Sequence, residues 1–134
     1  MDVIKNIHAS KRNGQSLVET ALVLPIILLI LTGIIDFGML LNNYSIIMNA
    51  SREGARLAAI GCEDDEIKER VKEITSSLKQ SNLTSEIYPS QSMRKKGKEV
   101  TVTVGYHHTF ITPVVSAVMP GPLYIEGKTV MRVE

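Results

Sequence analysis

Asn13-Gly14-Gln15-Ser16-Leu17-Val18-Glu19-Thr20-Ala21-Leu22-Val23-Leu24-Pro25 decides how this chain is built. A basic leader ends at a glycine, and a long apolar run starts at once with a carboxylate near its beginning. Ala21 to Ile35 contains fifteen residues and no charge, and the wider window Leu17–Leu41 is interrupted only by Glu19 and Asp36. As a helix that window extends about 37 Å, enough to cross a hydrocarbon core of about 30 Å with some tilt. β-Branched residues alone would also suit a strand, but the length selects a helix. A carboxylate in such a segment is costly unless it lies near an end or finds a partner. Two bland readings of Glu19 stand beside any functional one: solvation at headgroup level, and a capping box with Ser16 three residues earlier.

Outward on the amino side, residues 1–14 are polar and basic. Lys5, Lys11 and Arg12 against Asp2 give this segment a formal charge of +2, which leaves the other 120 residues of the 134 at −1. That asymmetry favours the leader inside and the carboxyl domain outside the membrane. It gives no electrostatic case for nucleic acid. A simple secretory signal would end at a small-residue site, which Leu31-Thr32-Gly33 imitates, but Glu19 and the continued helical pattern beyond Gly33 argue against it.

On the carboxyl side, the helix is expected to begin near Gln15 or Ser16, to weaken or bend at Pro25, and to stop near Gly61. Asp36 is expected at the outer interface, solvated beside Phe37. Small residues recur at steps of four, Ala50-Gly54-Ala58 and Ser51-Ala55-Ala59, and such stripes let another backbone approach closely. Arg52, Glu53 and Arg56 read as a solvated charged face. Cys62 is the only cysteine; it reads as a buried apolar residue, with pairing to another subunit left open.

Beyond Gly61, Glu63-Asp64-Asp65-Glu66 opens a second helix to about Ser81, with Ile67, Val71, Ile74 and Leu78 as its apolar stripe. The period then changes. Glu86-Ile87-Tyr88 reads as a short strand, Arg94-Lys95-Lys96-Gly97-Lys98 as a solvated turn, and Val100 to Tyr106 as a strand with one buried face. His107 and His108 point to opposite faces and cannot easily chelate one metal. Thr112-Pro113 resembles an N-cap with proline in the first turn. Val114 to Met119 then forms a short apolar turn, against the sheet or at the membrane surface, and Leu123 to Glu134 the last strand. The expected fold class is α+β: a long transmembrane and stalk helix, a second amphipathic helix, and about three antiparallel strands packed on that second helix.

The chain resembles the TadE-like minor pseudopilins of tight-adherence (Tad/Flp) type IV pili. The resemblance rests on Gly14–Pro25, then Gly33-Ile34-Ile35-Asp36-Phe37-Gly38 and Asn49-Ala50-Ser51-Arg52-Glu53-Gly54-Ala55-Arg56. It is strongest from Lys11 to Ala59 and looser over Val100–Val104 and Val130–Glu134. It implies cleavage between Gly14 and Gln15 by a prepilin peptidase, with Glu19 as the assembly glutamate. The cut would create an α-amine one helical turn from Glu19, and in low dielectric such a cation–carboxylate pair, within or between subunits, sets axial register. Gln15 stands where other type IV pilins carry phenylalanine, and an amino-terminal glutamine can cyclise and lose its charge. The major Flp pilins are much shorter than this chain, which points away from a main fibre subunit.

The implied organisation is a prepilin leader over 1–14, a transmembrane and stalk helix over 15–61, and an extracytoplasmic domain over 62–134. The implied location is the cytoplasmic membrane, single-pass with the amino terminus inside, and then a surface pilus. The implied partners are other pilins and pseudopilins, the prepilin peptidase, an inner-membrane assembly platform and lipid. Helix packing is expected to involve Pro25, Ala50, Gly54 and Ala58. No Gly-rich phosphate loop, metal cluster or nucleophile–base spacing stands out, so neither an enzyme nor a cofactor is expected. A permanent single-pass accessory protein with an external partner-binding domain is the alternative.

Overall fold

A computed structural model describes the backbone from Asp2 to Glu134 and side chains from Gly14 onward. The leader cations Lys5, Lys11 and Arg12 therefore lie outside the described side chains. The chain is α+β. Helix α1 (Asp2–Ala59) is followed by α2 (Asp64–Ile74), strands β1 (Leu83–Tyr88) and β2 (Glu99–His108), the short helix α3 (Pro113–Val118) and strand β3 (Leu123–Arg132).

Helix α1 starts before the glycine rather than at Gln15. Gly14 costs a helix roughly 1 kcal/mol relative to alanine but does not remove a backbone donor, so it weakens the helix without ending it. Ser16 consequently lies inside α1 and is no N-cap; its carbonyl accepts the Thr20 hydroxyl at 2.9 Å. Helical structure continues on both sides of Pro25. The other end is sharp. Gly61 takes φ +89°, the Cys62 amide donates to the Leu57 carbonyl at 3.1 Å and the Gly61 amide to Ala58 at 3.2 Å. This is the Schellman pattern, which satisfies carbonyls that the helix end would otherwise leave open.

Helix α2 stops at Ile74, earlier than its apolar stripe suggests. The Thr75 hydroxyl bonds back to the Val71 carbonyl at 2.8 Å, and the Gln80 amide takes the Thr75 carbonyl at 2.7 Å. Ser and Thr side chains offer the backbone such alternatives to helix. Leu78 still reaches the core because a turn from Thr75 carries it there.

The sheet is an antiparallel meander in the order β1-β2-β3. The alternation of Val100, Val102, Val104 and Tyr106 is realised in β2, where all four are buried. Strand β1 begins at Leu83, three residues before the sequence suggested, because the whole segment pairs in register with β2, Leu83 opposite Tyr106 and Tyr88 opposite Thr101.

The packing partner of the sheet differs from expectation. Strands β2 and β3 lie on the carboxyl half of α1, not chiefly on α2. Gly127 of β3 lies directly on the α1 backbone: a Cβ there would sit 2.9 Å from the Ile47 carbonyl oxygen. At Gly54 a Cβ would lie 3.0 Å from Val102, 3.3 Å from Val71 and 3.5 Å from Ile67. Gly54 is thus the point where α1, α2 and β2 converge. Ala50, Ala55 and Ala58 complete the buried face of α1 with Ile47. Small residues allow that approach, and the approaching partners are the sheet and α2 of the same subunit.

The basic turn also differs from expectation. Lys95, Lys96 and Lys98 are exposed, but the Arg94 side chain is 4% exposed and pairs with Asp64. Its guanidinium also donates to the Cys62 carbonyl at 2.8 Å and the Pro89 carbonyl at 3.3 Å. Arg94 therefore fastens the β1–β2 connection to the turn between α1 and α2, and a planar donor fork can serve those several acceptors at once.

Candidate functional site

The amino half of α1 has none of this company. Every residue from Gly14 to Leu31 is exposed, and this stretch begins the segment Gly14–Ala59 that is long and apolar enough to span a membrane. Aliphatic side chains left in water over this length would be strongly unfavourable, at about 25 cal/mol for each Å² of apolar surface. The missing surroundings are therefore lipid or other helices. One apolar helix of this kind is what a single-pass membrane anchor requires.

Within this segment the structure brings Gly14, Gln15 and Glu19 onto one helical run. Positions 15 and 19 share a face, one turn apart. Glu19 is exposed, and among the described residues no cation pairs with it. Pro25 lies on the same exposed run. Ala50, Gly54 and Ala58 do not join it: they are buried in the carboxyl domain.

Asp36 corrects the sequence reading. It is 1% exposed rather than solvated. The Ile111 and Thr112 amides each donate to its carboxylate at 3.2 Å, and the Thr112 hydroxyl donates a third bond. Thr112 sits at the N-cap position of α3 but makes no side-chain cap bond there; its hydroxyl serves Asp36 instead. A carboxylate that accepts three hydrogen bonds is compensated for leaving water. Sequence reasoning had no route to this pairing, since 76 residues separate Asp36 from Thr112. The only signals were an uncapped charge near the end of a span and a Thr-Pro start to a short helix.

Two turns further on, Asn43 meets His108 through Nδ2 and Nδ1 at 3.0 Å. His107 is exposed and His108 buried, the opposite facing that adjacent strand residues impose. Burial holds the His108 imidazole below its ordinary pKa near 6.5, and the charge of Asp36 opposes that shift only in part. Phe110 packs edge-on against the ring at 5.3 Å.

The charged face of α1 is organised as well. Arg56 pairs with Glu53 at 2.8 Å, and Arg70 of α2 approaches the same carboxylate at 3.8 Å. Cys62 is half-buried, and burial, with Glu66 nearby, pushes its thiol up. A raised pKa makes a poor nucleophile at neutral pH.

No curated protein and no solved structure matches this chain. A family match falls on the helix α1 alone. Residues 14–56, running from the glycine before the exposed segment to the arginine that pairs with Glu53, match the family model described as TadE-like protein. Over that segment the chain is similar to TadE-like proteins, and the same segment holds the helix that is long and apolar enough to cross a membrane.

Proposed function

We propose that this protein is a minor pseudopilin of a Tad-type pilus, cut between Gly14 and Gln15, and that it acts in pilus assembly or initiation and in adhesion. The observation that carries the reading is the division of α1: its carboxyl half packs into the core of a folded domain, while every residue from Gly14 to Leu31 is exposed. A subunit that moves from lipid into a filament needs such a segment, because lipid and neighbouring helices can alternate around it. In this reading the chain is a structural subunit and not an enzyme. Its partners are other pilins and pseudopilins, the prepilin peptidase and an inner-membrane assembly platform.

Glu19 sets the register. In the bilayer it lies near the cytoplasmic boundary, about 26 Å along the axis from Asp36. In the filament the new amine at Gln15, of the same or an incoming subunit, neutralises it. A subunit one turn out of place would leave two unpaired charges in an apolar setting, which costs several kcal/mol. Intact-mass measurement from hosts with and without the prepilin peptidase tests the cut: the mature chain begins at Gln15 only where the peptidase is present. Glu19→Ala is expected to abolish pilus incorporation while leaving the domain folded; unchanged incorporation would remove the assembly role.

One observation favours the alternative, a permanent anchored accessory protein. The Gly14–Gln15 bond lies inside a continuous helix, and a protease needs that bond unwound. Sheared surface fibres separate the two readings, since they contain a pseudopilin and lack a permanent anchor.

A further inference from the structure

From Thr109 to Ile125 the chain carries no charged residue. Much of that stretch faces outward: Ile111 is 71% and Val118 78% exposed, with Val114 and Met119 also exposed. A small domain does not ordinarily leave a contiguous run of large aliphatic side chains in water.

The position of this run is fixed by Asp36. The carboxylate holds Ile111 and Thr112 against α1, and α3 follows directly at Pro113. Ile34, Ile35 and Phe37, the neighbours of Asp36 on α1, are exposed as well. The apolar surface of the span and that of the 111–119 segment therefore meet at the level of one residue.

We propose that Ile111 and α3, clasped to α1 at Asp36, form a foot that inserts into the outer leaflet of the bilayer at the boundary between headgroups and acyl chains. The proposal rests on the membrane-anchor reading of α1. Continuity with the exposed span supplies the lipid, and the lack of charge makes insertion independent of anionic headgroups. Depth follows from the backbone. Pro120-Gly121-Pro122 forms no regular structure, and irregular backbone exposed to lipid is not tolerated in the hydrocarbon core. The foot is therefore shallow. It fixes the tilt and height of the carboxyl domain above the membrane, and it must be withdrawn from lipid when the subunit leaves the bilayer.

The test uses the full chain with Cys62→Ser, reconstituted one copy per phosphatidylcholine nanodisc. A polarity-sensitive fluorophore is placed at a single cysteine introduced by Val118→Cys, by Ile30→Cys in the span, or by Lys95→Cys in the exposed basic turn. The expected result is blue-shifted emission at position 118 relative to position 95. Nitroxides near the headgroups should quench position 118 more strongly than nitroxides deep in the acyl chains, and deep nitroxides should quench position 30. Water-like emission at 118 with position 30 in lipid overturns the foot and leaves the anchor standing. Water-like emission at position 30 overturns the anchor, and the foot with it. A blue shift at 118 that requires two copies per disc and ignores lipid nitroxides makes the surface a subunit contact and overturns lipid docking. Asp36→Ala is expected to abolish the shift at 118 and leave position 30 unchanged. Thr112→Val, which removes one donor of three, is expected to reduce the shift. Full retention of the shift in both variants overturns the clasp.

Discussion

The two halves of α1 are alike in helical form and opposite in surroundings. Gly14–Leu31 presents large aliphatic side chains in every direction and is exposed throughout. Ile47–Ala59 is built largely from small residues on one face, and that face is closed by β2, β3 and α2. The difference teaches that apolar content does not identify the core of this protein. Leu and Ile at high density mark the face for lipid or neighbouring subunits, because an all-round apolar helix has no polar side to turn toward water. Ala, Gly and Ser mark the internal face, because only short side chains let a sheet lie close to the helix backbone.

The comparison can be broken by making one chemical change in each half. Ile47 is fully buried, and Ile47→Ala is expected to destabilise the carboxyl domain by about 2–5 kcal/mol. The same change at Ile27, which is exposed, is expected to leave unfolding of that domain unchanged. Denaturant unfolding of the full chain in detergent micelles, followed by near-ultraviolet circular dichroism, checks both. Equal effects would mean that the amino half is part of the folded domain after all.

Arg94→Met tests whether the domain depends on its one deeply placed cation. It leaves Asp64 without its ion-pair partner, and about 3 kcal/mol of stability should be lost in the same measurement, at the low end for a buried pair because Asp64 is partly exposed. Gly54→Ala is expected to cost about 1–3 kcal/mol, since Val102 at 3.0 Å must move. Gly33→Ala, two residues beyond the exposed stretch, is the control: a Cβ there meets nothing within 4 Å, and helix content should hold or rise.

The smallest effect is one of pH. His108 is held below its ordinary value in the fold, so the unfolded chain binds the proton more readily. The stability associated with the neutral ring is present above the ordinary pKa and is lost as pH falls below it. The domain should therefore weaken between about pH 7 and pH 5. His108→Asn should flatten that part of the profile, and an unchanged slope would assign the effect elsewhere.

Several of these features are legible in the sequence. The unbroken run from Ala21 to Ile35 marks a helix long and apolar enough to cross a membrane, and Gly61 ends that helix where the cap chemistry says it should. The alternating valines of β2 and the opposed histidines follow from the two-residue period of a strand. Local signals misled where tertiary contact supplied a partner. Arg94 looks like its lysine neighbours until Asp64 and two carbonyls converge on it. Helix α2 stops at Ile74 although its apolar stripe runs on to Leu78, and the Gln80 side chain that takes the Thr75 carbonyl there is not visible in that stripe.

The sequence by itself determined that this protein has an apolar amino-terminal helix with a carboxylate near its start, and a small α+β domain after it. Periodicity and length carry that information, because they follow from the geometry of one chain segment. Only the tertiary structure decided that the small-residue face of α1 belongs to its own sheet, and that Asp36 holds the 111–112 loop. Those outcomes depend on residues tens of positions apart meeting in space, and hydrogen-bond partners at such separation leave no local mark on the chain.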